Sequence, residues 1–331
     1  MRLIILAVCI TIFSVTCTQA QLISSRKPDG LILSTGNLYF TSHDTAGATV
    51  WRTSQTSVPG QETVLYWEAG ARFGDIVFAQ VAGNFFGYFF AQNGGIITIK
   101  RVPLTGGNAT TLVTITNVDI ANSHRNLATD GVSLFWQDDR AVRKMPIGGG
   151  AVTVLDQTTP NTPTAGIALQ NDRVIYASVN TIHFVPKAGA ITSPAVRVIA
   201  TASTTVTALH IVSNGVYWGE RNGAVRVKVG SLIKTLPSTA NLVPTSISSN
   251  GFTAGAMEVW TQCGSQSCRL HIQTPVTSGS SIPVGADALG ATVLSSGKIF
   301  GATLRAYIAG DLNSGACPGS QETFNSSSSS V

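Results

Sequence analysis

A short aromatic segment recurs seven times along the chain, and no other feature limits the fold as much. The copies are Leu38-Tyr39-Phe40, Tyr88-Phe89-Phe90, Leu134-Phe135-Trp136, Val174-Ile175-Tyr176, Val216-Tyr217-Trp218, Glu258-Val259-Trp260 and Lys298-Ile299-Phe300. Aligned on the last residue of each, they stand 50, 46, 40, 42, 42 and 40 residues apart. Self-similarity at such a period marks a repeat architecture. Each unit is one supersecondary motif that cannot bury both of its own faces, so neighbours must stack.

The third copy shows the internal grammar of the unit. Asn126 to Thr129 reads as a strand, Asp130-Gly131 as a turn, and Leu134 to Gln137 as an aromatic strand. Val142 to Pro146 is a basic-apolar strand, Gly148-Gly149-Gly150 a second turn, and Thr153-Val154-Leu155 a final strand. Glycine fits the first turn because it takes positive φ at no steric cost. Pro146 fits a strand end because proline cannot donate to a central ladder. Third strands recur at 49–52, 97–103, 182–186, 225–229, 270–275 and 304–308. Fourth strands recur near Thr63, Thr111, Arg197, Lys234 and Ile282.

Four short strands per unit make a blade. The sequence therefore predicts an all-β fold, a single β-propeller of seven blades with four antiparallel strands each. Six blades with irregular ends is the competing count. The last unit ends after its third strand, near Ala309. Residues Gln21 to Ser25 precede the first unit and can supply the missing fourth strand, which would close the ring and hide its edges.

Composition agrees. Charged residues are only 11% of the chain, against about 25% in a typical soluble protein. The 21 basic and 16 acidic residues give a formal net charge of +5. The basic residues are scattered with no run longer than two, which argues against a nucleic-acid surface.

The first twenty residues read as a signal peptide. Arg2 is a positive n-region, Leu3 to Val15 an apolar run, and Thr18-Gln19-Ala20 a small-residue cleavage site before Gln21. The run is too short to span a bilayer, which needs about 20 apolar residues, and no second such stretch follows. The expected organisation is 1–20 signal peptide, 21–312 propeller, and 313–331 a Ser-rich tail, in a secreted protein. Cys263 and Cys268 flank a turn-rich segment between two strands, and in an oxidising compartment they are expected to form a hairpin disulfide. Cys317 is left over. Asn108-Ala109-Thr110 and Asn325-Ser326-Ser327 are glycosylation sequons.

Two tetrapeptides, Tyr217-Trp218-Gly219-Glu220 and Phe135-Trp136-Gln137-Asp138, resemble the YWTD-type propellers of lipoprotein-receptor ectodomains. The longer unit, Asp130 to Trp136 followed by Lys144-Met145-Pro146-Ile147-Gly148-Gly149-Gly150, more closely resembles secreted propellers built on a "Tyr-Trp … Lys-x-Pro-Leu-Gly-Gly" repeat. The likeness covers most of the mature chain and is sharp in the third and fifth units. After Trp260-Thr261 the chain has Gln262 where that family has aspartate. Receptor propellers use such aspartates to tie blades together, and that role is not carried over. The resemblance implies binding and names no ligand.

Catalytic motifs are missing from the sequence. Gly264-Ser265-Gln266-Ser267-Cys268 fails the nucleophile-elbow pattern at its last position. The Gly148 to Gly150 run has no helix behind it to cradle a phosphate. No P-loop or zinc-protease motif occurs, so no catalytic, cofactor or metal residue is assigned. His43, His124, His183, His210 and His271 lie in different units; His183 and His271 share a third-strand position, which favours packing. An axial metal site of the lactonase kind would draw on Glu, Asp and Asn side chains such as Glu68, Asp75, Asp119, Asn126 and Asp287. Asp138-Asp139 in a blade turn could bind calcium, but a solvated turn is the favoured reading. Trp51 and Trp67 fall outside the aromatic-strand register and are the expected exposed rings for a glycan. The sequence thus favours a secreted binding protein for an extracellular protein or glycan over a metal-dependent hydrolase. It sets neither the ligand nor the oligomeric state.

Overall fold

The computed structural model describes the chain from Gln21 to Ile308, apart from residues 116–126, 159–164, 190–196, 250–257, 264–267, 274–279, 285–292, 301–304 and a few shorter stretches. The expected signal peptide, the Ser-rich tail, Cys317 and Asn325 lie outside the described residues.

The described strands form seven four-stranded antiparallel sheets, the blades. From inner to outer strand, blade 1 is Gly30–Ser34, Asn37–His43, Gly47–Ser54 and Thr63–Ala69. Blade 2 is Ala71–Val81, Asn84–Asn93, Ile96–Pro103 and Thr110–Ile115. Blade 3 is Leu127–Thr129, Ser133–Gln137, Ala141–Pro146 and Thr153–Gln157. Blade 4 is Ile167–Gln170, Arg173–Ser178, Thr181–Pro186 and Val198–Thr201. Blade 5 is Val206–Val212, Gly215–Glu220, Val225–Val229 and Leu232–Leu236, and blade 6 is Val243–Ser249, Glu258–Cys263, Cys268–Gln273 and Ser280–Val284. Blade 7 is Val293–Ser295, Lys298–Phe300 and Arg305–Ile308, completed by Gln21–Leu22 from the start of the chain. Each inner strand neighbours the next, and that of blade 7 returns to that of blade 1, so the blades make a ring. The expected closure is present: Gln21 pairs with Ala306 and Leu22 with Arg305. No helix among the described residues is long and apolar enough to cross a membrane.

The aromatic segments all fall on second strands, and those of blades 1 to 5, with Trp260 of blade 6, are buried between blades. Trp136, Trp218, Trp260, Tyr88, Tyr217, Phe89 and Phe135 are among the largest fully buried side chains. Full burial of such a side chain stabilises by about 1.5–3 kcal/mol, so these seams are the core of the molecule. In blades 3 to 6 the last aromatic of the copy faces the preceding blade. Trp136 packs with blade 2, Tyr176 with blade 3, Trp218 with blade 4 and Trp260 with blade 5.

Blade 2 corrects the alignment. Phe89, not Phe90, packs toward blade 1, while Phe90 packs with blade 3. The proline register agrees, because Pro103 pairs with Phe86, three residues before Phe89, as Pro146 pairs with Ser133, three before Trp136. A run of three aromatics hides this one-residue slip in the sequence, and a one-residue slip turns every side chain to the other face.

Blades approach so closely that two glycines are obligatory. A Cβ at Gly219 would lie 2.4 Å from Pro244 Cβ of blade 6. One at Gly30 would lie 2.9 Å from Asp75 Cα of blade 2.

Candidate ligand cleft

Register gives each blade an equivalent third-strand position facing the preceding blade, opposite the last aromatic. It holds Trp51, Lys100, Arg143, His183, Arg226 and His271 in blades 1 to 6. His183 stacks on Tyr176 at 5.4 Å, and His271 on Trp260 at 5.1 Å with planes 2° apart. The shared position of these histidines is a packing position. Trp51 corrects the sequence reading: it is 8% exposed, stacks on Phe40 and donates its indole N–H to Ser42 Oγ at 2.8 Å. Trp67, on the outer strand of blade 1, is 52% exposed as expected.

Of the residues that sequence offered as metal ligands, the two that are described, Glu68 and Asp75, lie on an outer and an inner strand of different blades. Glu68 ties blade 1 to blade 2, accepting from Lys100 Nζ at 2.5 Å, Tyr66 Oη at 2.9 Å and Asn93 Nδ2 at 3.3 Å. Burial opposes its charge, but these donors outweigh it and hold the carboxyl below the usual range. In turn, burial and Glu68 push the Tyr66 hydroxyl up to about 12. Asp75 lies alone of the set on an inner strand, and Asp119, Asn126 and Asp287 lie outside the described residues. The described inner strands carry only Arg72, Asp75 and His210 as ionisable side chains. Among the described residues, no three His, Cys, Asp or Glu side chains gather as a metal site would need.

Asp138 is a structural residue. Its Oδ1 accepts the N–H groups of Arg140 and Ala141, and its Oδ2 is bonded by Arg143 Nε. Glu220, at the equivalent place in blade 5, is fully buried and takes Trp218 Nε1 at 3.0 Å, Arg226 Nε at 2.7 Å and the Ser203 hydroxyl. Both acids act within their own blade region. The blade-to-blade ties fall instead to neighbouring side chains: Gln137 donates to Ala177 O at 2.9 Å and Gln262 to Gly223 O at 2.7 Å. On the upper face, His43 Nδ1 lies 2.6 Å from Asp29 Oδ2, and burial raises the Asp29 carboxyl despite His43 and Arg72. His210 tilts against Tyr217 at 6.2 Å, and His124 lies outside the described residues.

An open cleft of about 510 Å³ remains on the lower face, where the inner-to-second and third-to-outer turns lie. It occupies the seam between blades 1 and 2. Ser34, Tyr39 and Arg52 come from blade 1, and Gly83 to Phe86 with Pro103, Leu104 and Thr105 from blade 2. The blade 2 lip is set by a tight turn in which both Ala82 (φ 48°) and Gly83 (φ 84°) take left-handed backbone, as type I′ hairpins require. The Leu104 N–H donates to Phe85 O at 3.1 Å, and Gly107 N–H to Leu65 O of blade 1 at 3.1 Å. These bonds fix the lip against blade 1. Tyr39 forms the floor, buried and edge-on to Phe78 at 4.6 Å. Phe85 is 49% exposed, and the Arg101 guanidinium lies 5.1 Å above the Phe86 ring.

Arg52 is the only charged side chain lining the cleft. It is half-buried and makes no ion pair among the described residues. Sequence reasoning missed it, because a single arginine in a strand carries no pattern. Its meaning comes from what the adjacent blade fails to offer. The sequon residue Asn108 is exposed in the turn that follows Thr105. Cys263 and Cys268 are directly opposed in the blade 6 register.

Comparison with known proteins bears on the fold. No protein-family profile matches the sequence, and no curated protein matches it. Among solved structures, a chain of a mitotic checkpoint complex is 12% identical with a TM-score of 0.62, covering 93% of this chain and 99% of that one. The WD40 β-propeller domain of Doa1 is 13% identical with a TM-score of 0.58, covering 87% and 96%. A puromycin-hydrolysing peptidase of Mycobacterium tuberculosis is 12% identical with a TM-score of 0.58, covering 84% of this chain and 50% of its own. At these identities the likeness is one of fold alone. By its sheet order, its ring closure and these neighbours, the chain is a β-propeller.

Proposed function

We propose that the protein is a secreted binding propeller that engages a protein or glycan ligand at the lower face, in the seam between blades 1 and 2. The observation that carries this reading is the contrast between that cleft and the rest of the described molecule. Elsewhere the buried acids, histidines and indoles are used in packing and blade ties; here an exposed Phe85 and an Arg52 with no ion pair among the described residues line an open concavity. Pockets of several hundred Å³ with apolar walls and few polar groups are the usual form of ligand sites.

Secretion belongs to the same reading. It rests on the grammar of residues 1–20, on the YWTD-like units and on a Cys263–Cys268 disulfide, for which the opposed strand positions are favourable. The exposed Asn108 suits a sequon in use. Purified from culture medium, the protein should begin at Gln21, and unreduced peptide mapping should link Cys263 to Cys268. Binding is tested by presenting the protein to a glycan array and to extracellular protein fractions, beside Phe85→Ala. Ligand retained by the wild type should be lost from the variant. Equal retention by both would place the binding surface elsewhere.

A further inference from the structure

We infer that the cleft recognises a peptide segment of a partner protein in which a carboxylate neighbours a large apolar side chain, and that Arg52 holds the carboxylate. This rests on the cleft being the binding site.

The repeat register supplies the argument. Arg52 pairs with Tyr39 as Lys144 pairs with Phe135, one residue before the last aromatic in each case. Both cations therefore face the following blade at the lower end of a seam. Lys144 is satisfied there: its Nζ donates to Lys187 O of blade 4 at 2.7 Å. Lys187 in turn reaches Asp130 Oδ2 of blade 3 at 3.3 Å. The residues at the places of Lys187 and Asp130 are Leu104, directly after the third-strand proline, and Ser34, six before the last aromatic. Neither carries charge. Arg52 makes neither the main-chain bond that Lys144 makes nor an ion pair among the described residues, and it lines the cleft instead.

The chemistry of the walls selects the occupant. A guanidinium presents a planar fork that matches the two oxygens of a carboxylate. A phosphate carries close to two charges, and sites for it gather several cations; only Arg52 among the lining residues is charged. Phe85, Phe86, Pro103 and Leu104 have no polar tip. Such walls suit an apolar side chain better than a sugar: the one lining ring with a polar handle, Tyr39, is buried in the floor. Ser34, Asn84 and Thr105 edge the cleft and can meet a peptide backbone.

The test is a random heptapeptide library displayed on phage and panned on the purified propeller. Enriched peptides should carry Asp or Glu beside Phe, Leu, Ile or Trp. A synthetic copy should lose at least tenfold in affinity with Arg52→Ala or Arg52→Gln, and equally when its own acid is amidated. The two changes combined should cost little more than either alone. Panning on Arg52→Glu should enrich basic peptides instead. No enrichment, enrichment without an acid, or unchanged affinity in folded Arg52→Ala would overturn the inference. If acidic peptides survive both Arg52→Ala and Phe85→Ala, the site itself is misplaced. If binding needs Phe85 but not Arg52, or if a glycan binds in a Phe85-dependent way, the cleft stands and the acidic peptide falls.

Discussion

Two seams of the ring, between blades 1 and 2 and between blades 3 and 4, are built alike at their outer ends and differently at their lower ends. At the outer end each has a carboxylate on the outer strand of the first blade that takes donors from the second. Glu68 takes Lys100 and Asn93; Asp156 takes Arg197 at 2.5 Å and the Tyr176 hydroxyl. At the lower end, Lys144, Lys187 and Asp130 close one seam, while Arg52, Leu104 and Ser34 leave the other open. The strand register is the same; what differs is the charge at two positions and the main-chain bond that Lys144 makes and Arg52 does not. The lower-end seal is present in one of these two seams and absent from the other, and the seam without it is where a ligand can enter.

The largest effects should come where the seams agree. Asp156→Ala and Glu68→Ala each strand a largely buried cation, and each should cost roughly 3–5 kcal/mol in urea unfolding. A large loss from only one of them would break the parallel. The lower ends should then separate. Lys144→Ala removes a charged hydrogen bond and should cost roughly 1.5–3 kcal/mol, whereas Arg52→Ala should change stability by less than about 0.5 kcal/mol. Equal losses would show that Arg52 has a structural partner after all.

The smallest effect concerns pH. Burial pushes the pKa of His183, in the seam between blades 3 and 4, below its ordinary value of 6.5. The folded chain then binds fewer protons than the unfolded one, so stability rises with pH through this range. The contribution is present in full above the ordinary histidine range and is lost as pH falls through it. Lys100 holds the same position in the other seam. Thermal unfolding between about pH 8 and pH 5 should show a shallower pH slope for His183→Phe than for the wild type. An unchanged slope would mean that His183 is not the group responsible.

Much of this fold was legible in the sequence, and the reasons are specific. Proline at the third-strand ends, Asp130-Gly131 and the aromatic spacing report local geometry, so blades could be counted and the closing strand at Gln21 expected. Tyr88-Phe89-Phe90 misled by one residue because facing is set by packing, which three adjacent rings leave undecided. Trp51 misled because its partner, Phe40, belongs to another strand, and only the register buries it. Arg52 was invisible for a deeper reason. Its significance depends on Leu104 and Ser34, residues unremarkable in themselves that matter only against Lys187 and Asp130.

The central claim is that an absent seal makes the binding site, and restoring the seal tests it most directly. Ser34→Asp with Leu104→Lys transplants the pair that closes the seam between blades 3 and 4. The peptide library panned on this double variant should yield no acidic enrichment, while its thermal unfolding stays close to that of the wild type. Enrichment of the same acidic peptides by a folded double variant would contradict the account.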